Sequence, residues 1–374
     1  MKKIIHLTTL HPRTDARIFV KQVQTLNKAI PYEVALVVAD GIGNELSEEK
    51  PYIYDLGSLR IWRFCRALVG PARAIRFIFK KKPVLIHFHD PELIPLGLLL
   101  KMLGHKVLYD VHEDVPLQVL NKYWIPEVLR RPVALSMSTL EWLAARFFDA
   151  IVPATPKIAK RFPSYKTVVV QNFPIKSELL LSASTPYARR PLKFAYLGRI
   201  AKNRGAREMV HALGSLRHLP NVRLEMAGRF DPEALKDELC ILPSWSAVNY
   251  HGLMTRPEVA GLLGNVRAGL VVLSPTQNYV DAYPVKMFEY MAAGLPVIAS
   301  DFPLWRQIVG GAGCGLLVDP MNPKAIADAM IWILEYPAEA EAMGQRGKKI
   351  VDEIYNWDTE AAKLINLYRK LIPS

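Results

Sequence analysis

Two carboxylates surround a predicted helix start in the stretch VDAYPVKMFEYMAAGLPVIAS, residues 280–300. Asp281 precedes the helix and Glu289 lies eight positions later, so the two cannot form a local i,i+4 pair. Ionised carboxylates accept hydrogen bonds only, which suits them to binding vicinal hydroxyls. The spacing therefore predicts that the two acids reach different parts of one extended ligand. The alternative is that Glu289 only caps or neutralises the helix.

Two strand-to-helix turns carry groups that could bind a phosphate. Arg199 and Arg204 follow the predicted strand FAYLG, beside the free N–H groups of the next helix, and form a possible diphosphate clamp. Pro284 suits the first turn of a helix, and the amides of Val285 and Lys286 then point towards an anion. The alternative for the arginines is that both are solvated side chains on a loop.

Length and composition limit the classes of protein that need to be considered. A chain of 374 residues predicts two domains, and a hydrophobic content of 51% excludes a disordered chain. The net charge of +13 calls for an acidic partner, which is a nucleic acid, an anionic lipid or a phosphorylated small molecule. Because no run of about 20 uncharged apolar residues occurs, we expect no membrane-spanning helix.

The cysteines and the start of the chain indicate a cytoplasmic protein without a metal. Cys65, Cys240 and Cys314 are widely separated, match no metal-ligand spacing and indicate a reducing compartment. The opening MKKIIHLTTLHP has too short an apolar run for a signal peptide and is interpreted as a first strand. No Asp-x-Asp pair for a metal is found, so we expect no metal cofactor.

Buried-strand patterns alternate with helical patterns along the whole chain, which predicts parallel sheets covered on both faces. The first series of strands is KKIIHLTT, EVALVVA, VLIHFH, KVLYDVH, AIVPAT and TVVVQN, with helices at 18–29, 71–80, 92–103 and 135–147. The second series is LKFAYLGR, VRLEMAG, AVNYHG, AGLVVLS, LPVIAS and CGLLVDP, with helices at 205–217, 231–240, 256–263, 285–293 and 323–336. The polar stretch between the two series, 174–191, is interpreted as a linker.

This organisation predicts an α/β protein with two doubly wound, Rossmann-like domains at 1–184 and 185–355. Ligands of such sheets bind beyond the carboxyl ends of the strands, so we expect the site in a cleft where two such domains face each other.

The second half of the chain resembles a known family. The motifs YLGRIAKNRG, VNYHGLM, DAYPVKMFEYMAAGLPVIAS and GCGLLVDPMNPKAIADAM, in this order and spacing, resemble the retaining glycosyltransferases of family 4, which have the GT-B fold. VLIHFHD and VLYDVHE in the first half, and YNW before the last helix, extend the resemblance. It implies an acceptor-side domain, a donor-side domain and a C-terminal helix, 356–374, that crosses back to the first.

The resemblance also implies roles for particular residues in binding the donor. Arg199 corresponds to the arginine that contacts the diphosphate, and Arg204 stands where a lysine is usual. Glu289 corresponds to the second acid of the E-x7-E motif, which binds the ribose, and the base is expected against Leu253. Lys286 compensates for a phosphate-facing amide, because PVK replaces the commoner Gly-Leu-Val at 284–286.

Two further residues are implied to act on the transferred sugar and are our catalytic candidates. Asp281 corresponds to the first acid of the motif, usually a glutamate, which contacts that sugar. His112 corresponds to a histidine near the donor sugar, where it can hydrogen-bond the sugar or the developing charge. The alternative for His112 is a structural histidine at a strand end.

The loop after the first strand departs from the family pattern. LHPRTDARIF replaces the Gly-Gly turn found in many relatives. Arg13 and Arg17 are candidate contacts to phosphate or acceptor, and Asp15 is interpreted as a helix N-cap.

A basic and apolar stretch, residues 60–82, has the composition of a helix at a membrane surface. Gly70-Pro71 predicts two short pieces. The apolar residues Phe64, Leu68, Ile75 and Phe79 share one face, and the bases Arg66, Arg73, Arg76 and Lys80 share the opposite one. If the stretch binds anionic lipid, we expect a lipid-linked saccharide as acceptor, such as a polyprenyl-diphosphate-linked one, at the cytoplasmic face. The alternative is an ordinary sheet-covering helix with a solvated basic face.

These observations together predict a retaining, metal-independent hexosyltransferase that uses a UDP- or GDP-sugar in polysaccharide or glycolipid synthesis. A nucleotide-sugar epimerase or another GT-B enzyme is an alternative. A dehydrogenase would need a G-x-G-x-x-G after an early strand, which is missing. A basic nucleic-acid-binding protein ranks last, because no nucleic-acid-binding motif is found.

Overall fold

The computed structural model describes residues 2–47, 51–59, 63–120, 122, 125–178 and 185–372, with the backbone alone for 63–67. The chain forms two compact units. Unit 1 comprises Met1–Asn172 and Trp357–Ser374, and unit 2 comprises Phe173–Asn356. The domain boundaries at 184 and 355 and the roles of the domains stay predictions, and part of the predicted linker, 179–184, lies outside the described residues.

Unit 1 is built on a six-stranded parallel sheet. Its strands are β1 (Lys3–Leu7), β2 (Glu33–Val38), β3 (Ile53–Asp55), β4 (Leu85–Phe88), β5 (Lys106–Val111) and β6 (Ala150–Pro153). Their order in the sheet is β3-β2-β1-β4-β5-β6, the order of a doubly wound dinucleotide-binding fold. The order reverses beside β1, where Ile4 lies opposite both Val34 and Leu85. Side chains that follow β1, β4 and β5 therefore meet at one edge of the sheet.

The helices of unit 1 lie between its strands. They are α1 (Gln24–Ala29), which continues a π-helix at Ala16–Val23, α2 (Arg63–Lys81), α3 (Ile94–Met102), α4 (Val115–Leu120), α5 (Glu127–Phe147) and α6 (Pro156–Ala159). Short 3₁₀ turns occupy Pro91–Leu93 and Ser164–Lys166. The predicted helices at 18–29, 71–80, 92–103 and 135–147 are confirmed, although α2 and α5 are longer than predicted.

One face of the unit 1 sheet is covered by α2, α3 and α5. Their small or apolar residues pack in a single core with the sheet side chains of β1, β4 and β5: the helical members include Ala74, Ile78, Leu100, Ala144 and Ala145. The three helices therefore form one layer, and their opposite sides face away from the sheet.

Unit 2 repeats the architecture of unit 1. Its strands are β7 (Lys193–Leu197), β8 (Arg223–Ala227), β9 (Val248–Gly252), β10 (Ala268–Val271), β11 (Val297–Ser300) and β12 (Gly315–Val318). The order β12-β11-β10-β7-β8-β9 places the first strand of the unit at the centre, beside the fourth, as in unit 1. The prediction of two doubly wound α/β units is confirmed.

The helices of unit 2 match the predicted series closely. They are α7 (Ala206–Ser215), α8 (Leu235–Cys240), α9 (Arg256–Leu263), α10 (Val285–Ala292), α11 (Pro303–Trp305) with a π-helix at Arg306–Gly310, α12 (Pro323–Glu335) and α13 (Pro337–Glu353). Short 3₁₀ turns occupy Lys176–Glu178, Tyr187–Arg189, Lys202–Arg204 and Pro243–Ala247.

The last helix, α14 (Trp357–Leu371), belongs to unit 1. Its Trp357 Nε1 donates to Thr25 Oγ1 at 2.9 Å, and Glu360 accepts from the backbone N–H of Gln171 at 2.9 Å. Tyr368 is fully buried. The C-terminal helix thus packs on the unit formed by the first half of the chain, as the family resemblance implies.

Three predictions about local structure were wrong. TVVVQN is not a strand: Val168 and Val170 donate to the carbonyls of Ile151 and Pro153, but only the bridge from Thr167 to Ile151 forms. The strand β3 has only three residues and was missed, because no alternation can be read over so short a segment. The predicted break at Gly70-Pro71 is absent, because α2 continues through Pro71.

Candidate functional site

The first group of site residues lies where β7 ends and α10 begins in unit 2. Tyr290 fixes this arrangement, because its buried hydroxyl accepts the N–H of Leu197 at 2.9 Å and so ties α10 to the end of β7. At the start of α10 the N–H of Met287 donates to the carbonyl of Pro284 at 3.0 Å. The amides of Val285 and Lys286 belong to the turn whose N–H groups point out of the helix.

Lys286 has a buried amino group without a hydrogen-bond partner among the described residues. Its Nζ lies 3.7 Å from the ring centroid of Tyr196, a cation–π distance. Nζ also lies 3.6 Å from the position that a Cβ would take on Gly198, whose φ is 106°. Burial lowers the pKa of Lys286 well below its ordinary value, and the charge of Arg204 lowers it further, against the opposing charge of Glu289. An unpaired buried ammonium is costly, so the position is set up for an anion.

Arg204 reaches the same region from the turn after β7. Its guanidinium carbon lies 5.7 Å from the ring centroid of Tyr279. Gly205, which follows, is the N-cap of α7 with a φ of 71°, and a Cβ there would lie 2.2 Å from the carbonyl oxygen of Val272. Only glycine fits this turn between Arg204 and α7.

Arg199 lies further out than Arg204. Its side chain is exposed and forms an ion pair with Asp231 at 3.2 Å, while its carbonyl accepts the hydroxyl of Tyr196 at 2.6 Å. An exposed ion pair of this kind contributes little to stability, so the arginine can be drawn to another anion at small cost.

Glu289 forms an ion pair that the sequence did not indicate. Its Oε1 accepts from Nη1 of Arg256, the first residue of α9, at 2.8 Å. The same guanidinium binds Oε2 of Glu178 through Nε at 3.0 Å and Nη2 at 2.9 Å. The two carboxylates raise the pKa of Arg256, although burial alone would lower it. The ribose contact predicted for Glu289 stays a prediction, and any ligand there would meet Arg256 as well.

The other predicted residues of unit 2 are exposed. Leu253 follows β9 and is 72% exposed, so its apolar surface is open to a flat ring. Asp281 is exposed in the turn before Pro284. Their predicted contacts, to the base and to the transferred sugar, stay predictions.

The second group of site residues lies beyond the carboxyl ends of β4 and β5 in unit 1. Nε2 of His112 lies 3.1 Å from Oδ2 of Asp110 and 3.2 Å from Nδ1 of His89. Asp110 is fully buried and is bound by Arg17, through Nη2 to Oδ1 at 2.6 Å and through Nε to Oδ2 at 3.1 Å. Gln22 also donates to Oδ2 at 2.7 Å. Burial would raise the pKa of Asp110, but Arg17 and the neighbouring histidines hold it well below its ordinary value.

The two arginines of the first loop are engaged inside unit 1. Arg17 is buried and also donates to the carbonyl of Val170 at 2.7 Å. Arg13 forms a two-bond pair with Asp40, with both distances at 2.8 Å. Contacts of either arginine to phosphate or acceptor stay predictions, and those of Arg17 would require it to share its guanidinium with Asp110.

Asp90 and Asp15 shape the loop that replaces the Gly-Gly turn. The buried Asp90 accepts from the hydroxyl of Thr8 at 2.9 Å and from the amide of Leu10 at 3.2 Å. Asp15 accepts the N–H groups of Arg17 and Ile18, both at 2.9 Å, which confirms it as an N-cap. Burial would raise the pKa of Asp15, but the hydrogen bonds from His11 and Ile18 hold it at about 2.

Two clusters in unit 1 have metal-ligand residue types within 4.8 Å of one another: His6 with His87 and His89, and His89 with Asp110 and His112. Their polar atoms already bind one another or Tyr368. Among the fully buried histidine nitrogens that the structure describes, Nε2 of His87 has no hydrogen-bond partner. We interpret the clusters as a hydrogen-bond network.

Sequence reasoning missed His89, Asp90, Asp110 and Arg256. The first three carry a local signal, because a histidine or aspartate within or directly after an apolar buried strand needs a partner. Arg256 carries none, because its pairing with Glu289 spans 33 residues on an exposed helix start.

Residues 181–350 match the family model described as glycosyl transferases group 1. Two similar curated proteins are the MMP alpha-(1->4)-mannosyltransferase of Mycolicibacterium hassiacum, 24% identical over 45% of this chain and 40% of that protein, and the phosphatidyl-myo-inositol mannosyltransferase of Mycobacterium leprae, 26% identical over 50% and 49%. The chain thus spans less than half the length of these two relatives.

Solved structures extend the likeness to the whole chain. Sucrose-phosphate synthase from Thermosynechococcus elongatus superposes with a TM-score of 0.80 at 18% identity, over 99% of both chains. Anabaena HepE in complex with UDP-glucose gives 0.73 at 13% identity, over 99% and 100%. The fold is therefore GT-B, with two Rossmann-like units. The match to glycosyl transferases group 1 covers residues 181–350, which lie within unit 2, whereas the likeness in fold extends over both units.

Proposed function

We propose that this protein transfers a hexose, with retention of configuration, from a UDP- or GDP-sugar to a lipid-linked saccharide acceptor. The product would be a cell-surface polysaccharide or glycolipid, made at the cytoplasmic face of the membrane. The observation that carries the proposal is Lys286, a buried amino group without a partner among the described residues, beside Arg204 and the open amides of α10. An anionic partner for this amino group would be supplied by a donor diphosphate, which the family motif indicates at the same position.

The proposed donor contacts follow from the chemistry of the neighbouring groups. A diphosphate beside Lys286 would restore the ammonium charge that burial suppresses, so donor binding would take up a proton. Arg199 and Arg204 add guanidinium donors, and Glu289 accepts from the ribose hydroxyls. The base lies against Leu253, and Asp281 contacts the sugar. HepE, which shares the fold, is described with UDP and with UDP-glucose, in support of a nucleotide-sugar donor.

The proposed reaction needs no metal, because cationic side chains and helix amides can neutralise the leaving group. The bond between the sugar anomeric carbon and the phosphate oxygen breaks, and a bond to the acceptor oxygen forms on the same face of the sugar. The acceptor proton passes to the departing phosphate oxygen. His112 hydrogen-bonds the sugar during this step.

The acceptor side of the proposal rests on the helix layer of unit 1. The outer sides of α2, α3 and α5 expose large apolar side chains: Leu68, Phe79, Leu99, Met102, Leu103, Val128, Leu129, Leu135, Trp142, Leu143 and Phe147. α2 and α3 contain no acidic residue, and in α5 Glu141 is buried against Arg161, which leaves Glu127. We call this surface the apolar–basic layer and propose that it rests on anionic lipid, where a lipid-linked acceptor would be reached.

The layer differs from the surface that the sequence predicted. The side of α2 that packs on the sheet holds Gly70, Ala74 and Ile78, whereas Leu68 and Phe79 point outwards. No helix within the described parts of the chain has the length and hydropathy needed to cross a membrane.

The donor site is tested with two variants, each of which removes one of the two carboxylates that pair with Arg256. Glu289→Ala should abolish transfer, by about 100-fold or more, and remove the thermal stabilisation that a cognate donor gives, because the ribose contact is lost. Glu178→Ala is the matched control: it removes the other carboxylate of Arg256 and should keep both properties. Thermal unfolding with a panel of UDP-, GDP- and ADP-sugars identifies the donor. A folded, fully active Glu289→Ala protein would remove the assignment.

Two further measurements test the chemistry. The anomeric configuration of the product, read by NMR, decides between retention and inversion. Activity in the presence of a chelator decides whether a metal is needed.

A further inference from the structure

A chain of buried side chains in unit 1 leads from α14 to His112. Nδ1 of His87 lies 2.8 Å from the hydroxyl of Tyr368, and that hydroxyl lies 3.0 Å from Nε2 of His6. Nδ1 of His6 lies 3.0 Å from Nε2 of His89, and Nδ1 of His89 lies 3.0 Å from Oδ2 of Asp110. All five side chains are buried. In such surroundings each proton has to lie between a donor and an acceptor, so the order of protons can be worked out.

The ionised carboxylate of Asp110 fixes the first two protons. It can only accept, and Arg17 holds it in that state with two hydrogen bonds. Nδ1 of His89 must therefore carry the proton that it shares with Asp110. In a neutral ring this leaves Nε2 of His89 without a proton, so Nδ1 of His6 must donate to it.

The positions of the remaining protons, on His6, Tyr368 and His87, follow in the same way. Nε2 of His6 has no proton, so the hydroxyl of Tyr368 donates to it. The oxygen of Tyr368 then accepts from Nδ1 of His87, which leaves Nε2 of His87 without a proton. This is the nitrogen that has no partner among the described residues. Burial lowers the pKa of His6, His87 and His89, in agreement with neutral rings.

His112 joins this chain at Asp110. Its Nε2 faces a carboxylate oxygen at 3.1 Å and a nitrogen of His89, at 3.2 Å, that already carries a proton. Both neighbours are compatible with a proton on Nε2 that points to Asp110. In a neutral ring Nδ1 is then the nitrogen of His112 without a proton, and it can accept a hydrogen bond.

We propose that the chain from His87 through Tyr368, His6 and His89 to Asp110 fixes the proton of His112 on Nε2, so that Nδ1 meets a hydroxyl of the sugar. Tyr368 and His6 act through other residues and are positioning residues. The sugar contact rests on the proposed function. The proton order depends only on the contacts within unit 1.

The direct test is the tautomer of each histidine in the full-length protein labelled with ¹⁵N-histidine. Two-bond ¹H–¹⁵N correlation spectra distinguish a proton on Nδ1 from one on Nε2, and single His→Gln variants assign the signals. We expect Nδ1–H for His6, His87 and His89, and Nε2–H for His112. A proton on Nε2 of His89, or a neutral His112 protonated on Nδ1, would overturn the proposal.

Tyr368→Phe tests the positioning role, since it removes one oxygen and keeps the ring. His6 then loses its donor and can adopt either tautomer, and one of them sets two bare nitrogens of His6 and His89 against each other. We expect the signals of His6, His89 and His112 to shift, the pH profile of kcat/KM to move, and kcat to fall about tenfold with KM for the donor unchanged.

Tyr32→Phe is the matched control. It removes another buried tyrosine hydroxyl of unit 1, one that donates to the carbonyl of Ile372 at 3.3 Å and lies outside the chain of histidines. It should leave the tautomers and the pH profile as they are. A Tyr368→Phe protein with wild-type tautomers and pH profile would contradict the positioning role. If Tyr368→Phe does not fold, the histidine tautomers of the wild-type protein decide whether the proposed proton order is correct.

The outcomes separate this inference from the proposed function. If the histidines have the expected tautomers but the protein transfers no sugar from any donor, the proton order is supported and the proposed function is wrong. Sugar transfer by a protein with other tautomers would remove the proton order alone.

Discussion

Lys286 and Glu289 lie one helical turn apart at the start of α10, but their surroundings differ. Glu289 is neutralised by Arg256 at 2.8 Å, a pair that the fold itself provides. Lys286 has the ring of Tyr196 and no hydrogen bond among the described residues. A residue that weakens the fold in this way is expected at a binding site, where the ligand supplies the missing partner.

Replacing Lys286 should therefore separate stability from binding. Lys286→Met keeps the length of the side chain and removes a buried amino group that has no hydrogen-bond partner among the described residues, so we expect the free energy of unfolding to rise by about 1 kcal/mol or more. The stabilisation by a cognate nucleotide sugar should be lost. Thermal unfolding with and without the donor measures both effects.

Lys193→Met is the control for this variant. Lys193 forms an ion pair with Glu225 at 2.9 Å at the opposite end of β7, so its loss should not raise stability or reduce the shift given by the donor. A Lys286→Met protein that is stabilised by donor as strongly as the wild type would contradict the anion site.

At the scale of elements, the outer side of α5 is unusual for a helix in a soluble domain. Surface helices normally place charged and polar residues away from the core. α5 instead exposes Leu135 (69%) and Phe147 (56%), and Arg146 lies over the ring of Trp142 at 3.2 Å. With the bases of α2, this combination favours an anionic bilayer over a purely apolar partner.

We expect the protein to co-sediment with vesicles of phosphatidylglycerol and phosphatidylcholine, and less with phosphatidylcholine alone. Leu135→Asp with Phe147→Asp should reduce binding by about 100-fold or more, because each side chain that enters the bilayer contributes about 1.5–3 kcal/mol. Arg76→Glu with Lys80→Glu should reduce it through the electrostatic attraction, by about 1 kcal/mol per charge removed.

Ile241→Asp is the matched control, since Ile241 is an 82% exposed apolar residue of unit 2, outside the layer. It should leave vesicle binding unchanged. Equal binding of the wild type and the Leu135→Asp, Phe147→Asp protein would remove the membrane role of α5.

At the scale of the whole molecule, the two units share one strand order but differ in what lies at the carboxyl ends of their strands. Unit 2 collects cations at the end of β7 and the start of α10. Unit 1 buries neutral histidines beside the carboxylates of Asp90 and Asp110. The difference predicts that acid acts first on unit 1.

Lowering the pH from about 7.5 to 5 should destabilise unit 1. The unfolded chain binds protons at the histidines near pH 6.5, whereas the folded pKa values of His6, His87 and His89 are lowered. The contribution of these three histidines to the free energy of unfolding of unit 1 is therefore complete above pH 6.5 and decreases as the pH falls below it. The pKa of His11 is raised, through Asp15 and Asp90 and against burial, so His11 exchanges its proton above pH 6.5 and its stabilisation is fully present below that pH. Below pH 6.5 the three buried histidines therefore give a slope of up to about 4.1 kcal/mol per pH unit.

Hydrogen exchange of the β4 and β5 amides measures this for unit 1 alone, without assuming that both units unfold together. His87→Gln should reduce the slope. Stability of unit 1 that increases between pH 6.5 and 5.5 would contradict the prediction. The wild type and the His87→Gln protein share the same charged and titratable groups around the buried histidines. These groups are Arg17, Asp90, Asp110, His112 and Tyr368.

Much of the fold could be predicted from the sequence, because the signals are local. The helix predicted at 256–263 coincides with α9, and the one at 285–293 ends one residue beyond α10. The prediction failed at 167–172, where β-branched residues lie beside β6 but form only one bridge, since pairing depends on a neighbour that the local pattern does not contain. It failed at Pro71 because packing of Ala74 and Ile78 holds α2 together across the proline.

The alternation of strands and helices, the two units and the family motifs can be read from the amino-acid sequence, because each depends on residues close together in the chain. The partners of the site residues depend on how the chain packs. Arg17 meets Asp110 across 93 positions, and Tyr368 meets His6 across 362. The physical reason is that burial removes water as a partner, so a polar side chain must take whichever group the packed sheet brings within reach. That choice is made by strand order, which no local pattern records.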